Sequence, residues 1–150
     1  MPYPEEICIP MREDLTNVGF VELKTAEQVS NLLDKKEGAA LVMVNSVCGC
    51  AAGNARPAVK LAKTFDKKPD VFATVFAGQD TEATAKAREY MLPYPPSSPS
   101  IAIFKDGNLI IKDSNVFFKH LDNEVLFITK IFKMEYFYDS KEFKNIIFSE

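Results

Sequence analysis

Continuous apolar runs alternate along the chain with stretches of helical period. Residues 39–44, AALVMV, form a short unbroken apolar run with β-branched members. This is the pattern of a strand buried on both faces, as in a parallel sheet. Residues 71–76, VFATVF, repeat it. Between them the period changes: in AAGNARPAVKLAKTF, residues Val59, Ala62 and Phe65 fall on one helical stripe. Pro57 has no N–H to offer the carbonyl four residues back, which predicts a kink there. Upstream, Thr25 and Gln28 fit a capping box and open a helix with Val29, Leu32 and Leu33 on one face, ending at Gly38. The first twenty residues read as a lead-in with a short helical stretch at 11–15. Downstream, Gly78 turns the chain and Asp80 is expected to cap a helix reaching Met91, with Glu82 also near its positive end. Pro93, Pro95, Pro96 and Pro99 then exclude regular structure. SIAIF and NLIIK follow as two strands joined by Asp106-Gly107, a strong hairpin signal. The order predicts one α/β domain in which βαβ units feed an antiparallel pair.

The last part of the chain departs from this pattern. Beyond Ala102 there is no alanine, beyond Gly107 no glycine and beyond Pro99 no proline, while eight of the twelve phenylalanines follow Ile101. Residues 1–112 are therefore read as the domain and 113–150 as an atypical C-terminal segment. Leu121, Val125, Ile128 and Phe132 would line one face of a helix there, and the pattern weakens from Met134 onward. The enrichment in Phe, Ile, Lys and Asn matches AT-rich DNA read in another frame, and resequencing the gene tests that origin.

Composition narrows the classes of function. At 150 residues, 47% hydrophobic and 26% charged, the chain can bury a sizeable core without disulfides. The net charge of −3 and the absence of a Lys/Arg run argue against nucleic acid as a partner. The acidic, proline-broken start is unlike a secretory signal, and no apolar stretch is long enough for a membrane span. A cytoplasmic setting is expected, where a cysteine pair is more often catalytic or metal-binding than structural.

The candidate chemistry is in VNSVCGCAAGNARPAV, where Cys48 and Cys50 flank Gly49. Cys48 is placed where a strand ends and a helix begins, so free amides and the helix dipole favour its thiolate. Thiolate is the nucleophile of thiol–disulfide exchange, and a second cysteine within reach can release the product. Gly49 supplies the flexibility for closing a one-residue loop, and a Cys48–Cys50 bond is expected to be strained and labile. Three other readings stand beside this one. A structural staple suits neither a reducing compartment nor so small a loop. A metal clip lacks ligands, because zinc wants four and only Cys8 and His120 could be added, without zinc-finger spacing. Two packed core cysteines fit poorly with Asn45, Ser46 and Asn54 nearby, which suit a surface turn. Turn formation is the preferred role of Ser46 and Asn54. Arg56 is read either as a solvated surface residue or as a cation for substrate carboxylates. Cys8 is read as a buried apolar thiol, and His120 is assigned no role.

Four collinear blocks resemble the bacilliredoxin family: PMREDLTNVGFVELKTAEQV, VNSVCGCAAGNARPAV, VFAGQDTEATAKAREY and PPSSPSIAIFKDG. The resemblance covers about residues 10–109. It implies a thioredoxin-like fold, a central mixed β-sheet flanked by helices. It implies that Cys48 attacks and Cys50 resolves, that Pro99 is a cis proline facing them after Ser98, and that Gly49, Ser98 and Pro99 position the substrate. The implied activity is removal of bacillithiol from S-bacillithiolated proteins, with a related, weaker disulfide-isomerase activity. Bacillithiol would then be a thiol co-substrate, with no tightly bound cofactor and no metal. The alternatives are a general disulfide isomerase or reductase and a non-catalytic metal-binding module. Residues 108–127, NLIIKDSNVFFKHLDNEVLF, depart from the family's closing turn and helix.

Overall fold

The computed structural model describes residues 1–65 and 68–113. His120 and the helical patterns expected at 121–132 and beyond lie outside the described residues. The elements run α1 (Glu5–Thr16), β1 (Val21–Glu22), α2 (Ala26–Leu33), β2 (Ala39–Asn45), α3 (Arg56–Ala62), β3 (Val71–Phe76), α4 (Thr81–Tyr90), β4 (Ser100–Lys105) and β5 (Asn108–Asp113). The five strands form one sheet in the order β1-β3-β2-β4-β5. β1 and β2 each pair parallel with β3, β4 pairs antiparallel with β2, and β5 pairs antiparallel with β4.

The apolar run of β2 is explained by its central place, with every residue from Ala39 to Asn45 buried. Strand side chains alternate between faces. Ala40, Val42 and Val44 join Val75, Phe104 and the α2 and α4 residues Val29, Leu33, Ala83 and Ala87 in one core. Leu41 and Met43 point to the opposite face. There Phe72 packs edge-on against Phe20, with ring centroids 5.4 Å apart, and Lys63, just after α3, lies 5.0 Å above the Phe72 ring. Fully burying one such side chain contributes about 1.5–3 kcal/mol.

Local signals are met at several points. The Thr25 hydroxyl accepts the Gln28 N–H at 3.2 Å, and the Gln28 side chain accepts the Thr25 N–H at 3.1 Å. The Asp106-Gly107 hairpin has φ of +50° and +79°, the left-handed pair its two-residue turn requires. A Cβ on Gly107 would stand 2.7 Å from the Leu33 carbonyl oxygen. Gly107→Ala is therefore expected to cost about 1–3 kcal/mol, from strain and from the contact together. A urea unfolding midpoint equal to that of the unsubstituted protein would contradict this.

Four features differ from expectation. α1 is longer than the 11–15 stretch and continues through Pro10. Cys8, Arg12 and Leu15, spaced i, i+4 and i+7, are buried along one stripe, and this tertiary anchoring outweighs the bond lost at proline. The two-residue strand β1 is too short to show a period. The chain meets Pro57 with a π-helical turn at Ala51–Ala55, in which the Arg56 N–H reaches back to the Ala51 carbonyl. This wider turn shifts the hydrogen-bond ladder just ahead of the proline, which has no N–H to give. Asp80 holds the N-cap position of α4 without a side-chain capping bond. Its carboxylate turns to Arg12, with Asp80 Oδ2 accepting from Nη1 at 2.7 Å and Oδ1 from Nη2 at 3.1 Å.

Candidate active site

β2 ends at Asn45 and delivers the chain to the cysteines. Asn45 and Ser46 are buried, whereas Cys48, Gly49 and Cys50 are exposed. Polarity at 45 and 46 thus marks buried turn-formers rather than a solvated surface. The Asn45 Oδ1 accepts the Ser46 N–H at 2.9 Å, and the Ser46 Oγ accepts the Cys48 N–H at 3.3 Å. Such short side-chain-to-backbone bonds replace the ladder bonds lost where a strand ends. The chain is helical from Gly49, and the Ala51 and Ala52 N–H groups donate to the Cys48 carbonyl at 3.0 and 3.3 Å.

Cys48 is therefore the residue at the helix entry, and its Sγ accepts the Cys50 N–H at 3.2 Å. A side-chain acceptor at that position takes up an amide with no partner inside the helix. The bond favours the anionic sulfur. The Cys48 pKa is lowered by the Cys50 amide first and by the Cys50 thiol second, against a smaller effect of desolvation. The Cys50 pKa is raised by its hydrogen bond to Cys48 and by the charge on that sulfur. The two thiols are thus unequal: as pH rises, Cys48 ionises first while Cys50 keeps its proton. Alkylation with iodoacetamide read by peptide mass spectrometry should label Cys48 at lower pH than Cys50. Earlier labelling of Cys50 would contradict the geometry.

The remaining residues of interest divide sharply. Apart from its two chain neighbours, a Cβ on Gly49 would meet no atom within 4 Å, so glycine is not demanded there by packing against the rest of the fold. Asn54 is exposed on the π-helical turn. The Ser98–Pro99 bond is cis, with Ser98 exposed and Pro99 buried. Ser100 pairs with Val44, so the proline loop and the cysteine loop leave the sheet at the same end. Cys8 is fully buried in α1, where burial raises its pKa above the ordinary thiol value. All three cysteines are free thiols. Among the described residues no group of three or more His, Cys, Asp or Glu is placed to hold a metal ion.

Arg56 fits neither reading made of it from the sequence. It is buried beneath the cysteine loop, with 5% of its surface exposed. Its Nε donates to Asp14 at 3.1 Å, and its Nη1 to the Asn45 Oδ1 at 3.0 Å and the Ser46 carbonyl at 3.1 Å. The sequence offers little warning, because Asp14 lies 42 residues away. Arg12 was also missed. Its one signal is a charged residue on the buried stripe of an amphipathic helix. Among the described residues, no helix is long and apolar enough to cross a membrane.

Comparisons with known proteins agree with this arrangement. A family described as disulphide isomerase matches residues 3–120. A bacilliredoxin of Cytophaga hutchinsonii is 56% identical over 108 residues, spanning 72% of this chain and 79% of that protein. A bacilliredoxin of Halalkalibacterium halodurans is 55% identical over 108 residues, spanning 72% and 75% respectively. Among solved structures, Fasciola hepatica thioredoxin superposes with a TM-score of 0.50 at 22% identity, covering 77% of this chain and all of that one. That likeness fixes the architecture as a thioredoxin fold, as the sequence resemblance implied.

Proposed function

The chain belongs to the bacilliredoxin family of thiol–disulfide oxidoreductases, and on that premise we propose that it removes bacillithiol from S-bacillithiolated proteins in the cytoplasm. The observation that carries the reading is the exposed pair in which the Cys50 amide supports the Cys48 sulfur. The Cys48 thiolate attacks the bacillithiol sulfur of the mixed disulfide. The bond between that sulfur and the protein sulfur breaks, and the protein leaves as a thiolate that takes up a proton. Cys48 now carries bacillithiol. Cys50, deprotonated, then attacks the Cys48 sulfur, forming the Cys48–Cys50 disulfide and expelling bacillithiol thiolate. Alternatively, a second bacillithiol thiolate attacks the bacillithiol sulfur instead, forming bacillithiol disulfide and releasing the Cys48 thiolate. Cys50 is suited to the second role, because it keeps its proton while Cys48 is the anion.

Gly49 is exposed between the two cysteines and is assigned to positioning the substrate. Ser98 and Pro99, at the head of β4, are assigned to positioning the substrate beside them. The reaction as written needs no bound cofactor or metal. Bacillithiol enters as co-substrate and the bacillithiolated protein as partner. One target protein, prepared in bacillithiolated and in glutathionylated form, tests the preference. Faster release of bacillithiol supports the proposal, and equal rates favour a second reading. That reading is a general disulfide isomerase or reductase, which the description of the matching family favours.

A further inference from the structure

The cysteine loop rests on a polar network that the exchange chemistry does not itself use. At the end of β2 the chain leaves its pairing partners, and the polar groups of Asn45 and Ser46 are buried there. Buried polar groups need partners. Arg56 supplies them from α3: one nitrogen donates both to the Asn45 side chain and to the Ser46 carbonyl. Its Nε is held by Asp14, which Lys60 also pairs with, at 2.5 Å. The Asn45 Nδ2 donates to the Met11 carbonyl of α1 at 3.1 Å. A continuous set of bonds therefore runs from α1 and α3 through Asn45 and Ser46 to the Cys48 N–H. The Cys48–Cys50 contact depends on the path of residues 45–48, because that path sets where the Cys48 sulfur stands relative to the helix entry.

We propose that Arg56 is a positioning residue for the exchange reaction: acting through Asn45 and Ser46, it fixes residues 45–48 so that the Cys48 sulfur meets the Cys50 amide. The inference rests on Cys48 being the attacking thiol. It assigns Arg56 no contact with substrate, since the donors described are turned to protein groups. Geometry rather than charge is then the active property. Lysine keeps the charge but cannot reproduce a planar fork that reaches Asp14, Asn45 and Ser46 together.

The test is the pH profile of Cys48 alkylation, followed by peptide mass spectrometry beside a thermal melt of each variant. The unsubstituted protein should label Cys48 first; earlier labelling of Cys50 removes the functional reading, and the inference with it. Given that result, Arg56→Lys and Arg56→Met should both move the Cys48 profile to higher pH and slow its alkylation at pH 7 by about threefold or more. A lower melting temperature with an unmoved Cys48 profile would overturn the inference while leaving the functional reading intact. If neither Arg56 variant folds, Ser46→Ala decides, because it removes only the acceptor of the Cys48 N–H. An upward shift of its profile supports the relay, and an unchanged profile overturns it.

Discussion

Cys48→Ala is expected to abolish thiol–disulfide exchange, lowering the rate with a mixed-disulfide substrate by a factor of about 10³ or more, because no other thiol can take over the attack. Cys8 is sealed in the core, so it has no access to a protein substrate. Cys50 is exposed but is the less acidic sulfur, and the amide that supports Cys48 is its own. Attack from position 50 would thus start from the protonated, unsupported member of the pair. Cys8→Ala serves as the control and should leave the exchange rate unchanged. Release of the target thiol by Cys48→Ala at the rate of the unsubstituted protein would remove Cys48 from the reaction.

Arg12→Met is expected to be the most damaging single substitution for stability, at about 3–5 kcal/mol, the range for removing one partner from a buried ionic group. Arg12 is 7% exposed and donates to Glu5, Glu22 and Asp80, while its guanidinium lies 4.9 Å from the Phe76 ring centroid. Burial opposes its charge, but the hydrogen bonds to Asp80 and Glu22 outweigh that and hold its pKa above the ordinary arginine value. The guanidinium thus stays charged wherever the fold persists. The group ties α1 to β1 and to the start of α4, so its loss loosens three elements at once. Asp80 is the partner that matters most, because its side chain is 12% exposed and Glu5's is 54% exposed and largely screened. Replacing Asp80 by leucine as well should recover part of the loss, since one carboxylate no longer lacks its cation. Urea denaturation measures both variants. A single-variant loss below about 1 kcal/mol would mean that solvent already screens the group.

What could be read from the sequence follows the range of each interaction. β2, β3 and the hairpin are legible because a buried strand is a contiguous apolar run and Asp-Gly satisfies its own turn. The capping box is legible because Thr25 and Gln28 lie within one turn of each other. The cysteine pair is legible because its chemistry sits in three consecutive residues between a strand and a helix. The N-cap position of Asp80 is legible because that preference is local, but its side-chain partner is not, because Arg12 lies 68 residues away. Arg56 was misread for the same reason: nothing near it in sequence says that it will be buried under residues 45 and 46. The π-helical turn escaped because a proline in a helical pattern signals disruption without giving its form. Local rules therefore gave the elements and the candidate cysteine pair, while the long-range ion pairs that fix their positions needed the folded chain.

The measurement closest to the central claim uses Cys50→Ala, which keeps the backbone amide that supports Cys48 but removes the resolving thiol. Incubated with an S-bacillithiolated protein and with no free bacillithiol, this variant should release the target thiol and retain one bacillithiol on Cys48, located by peptide mass spectrometry. A bacillithiolated target left intact, or a bacillithiol found on Cys8 rather than Cys48, would contradict the account.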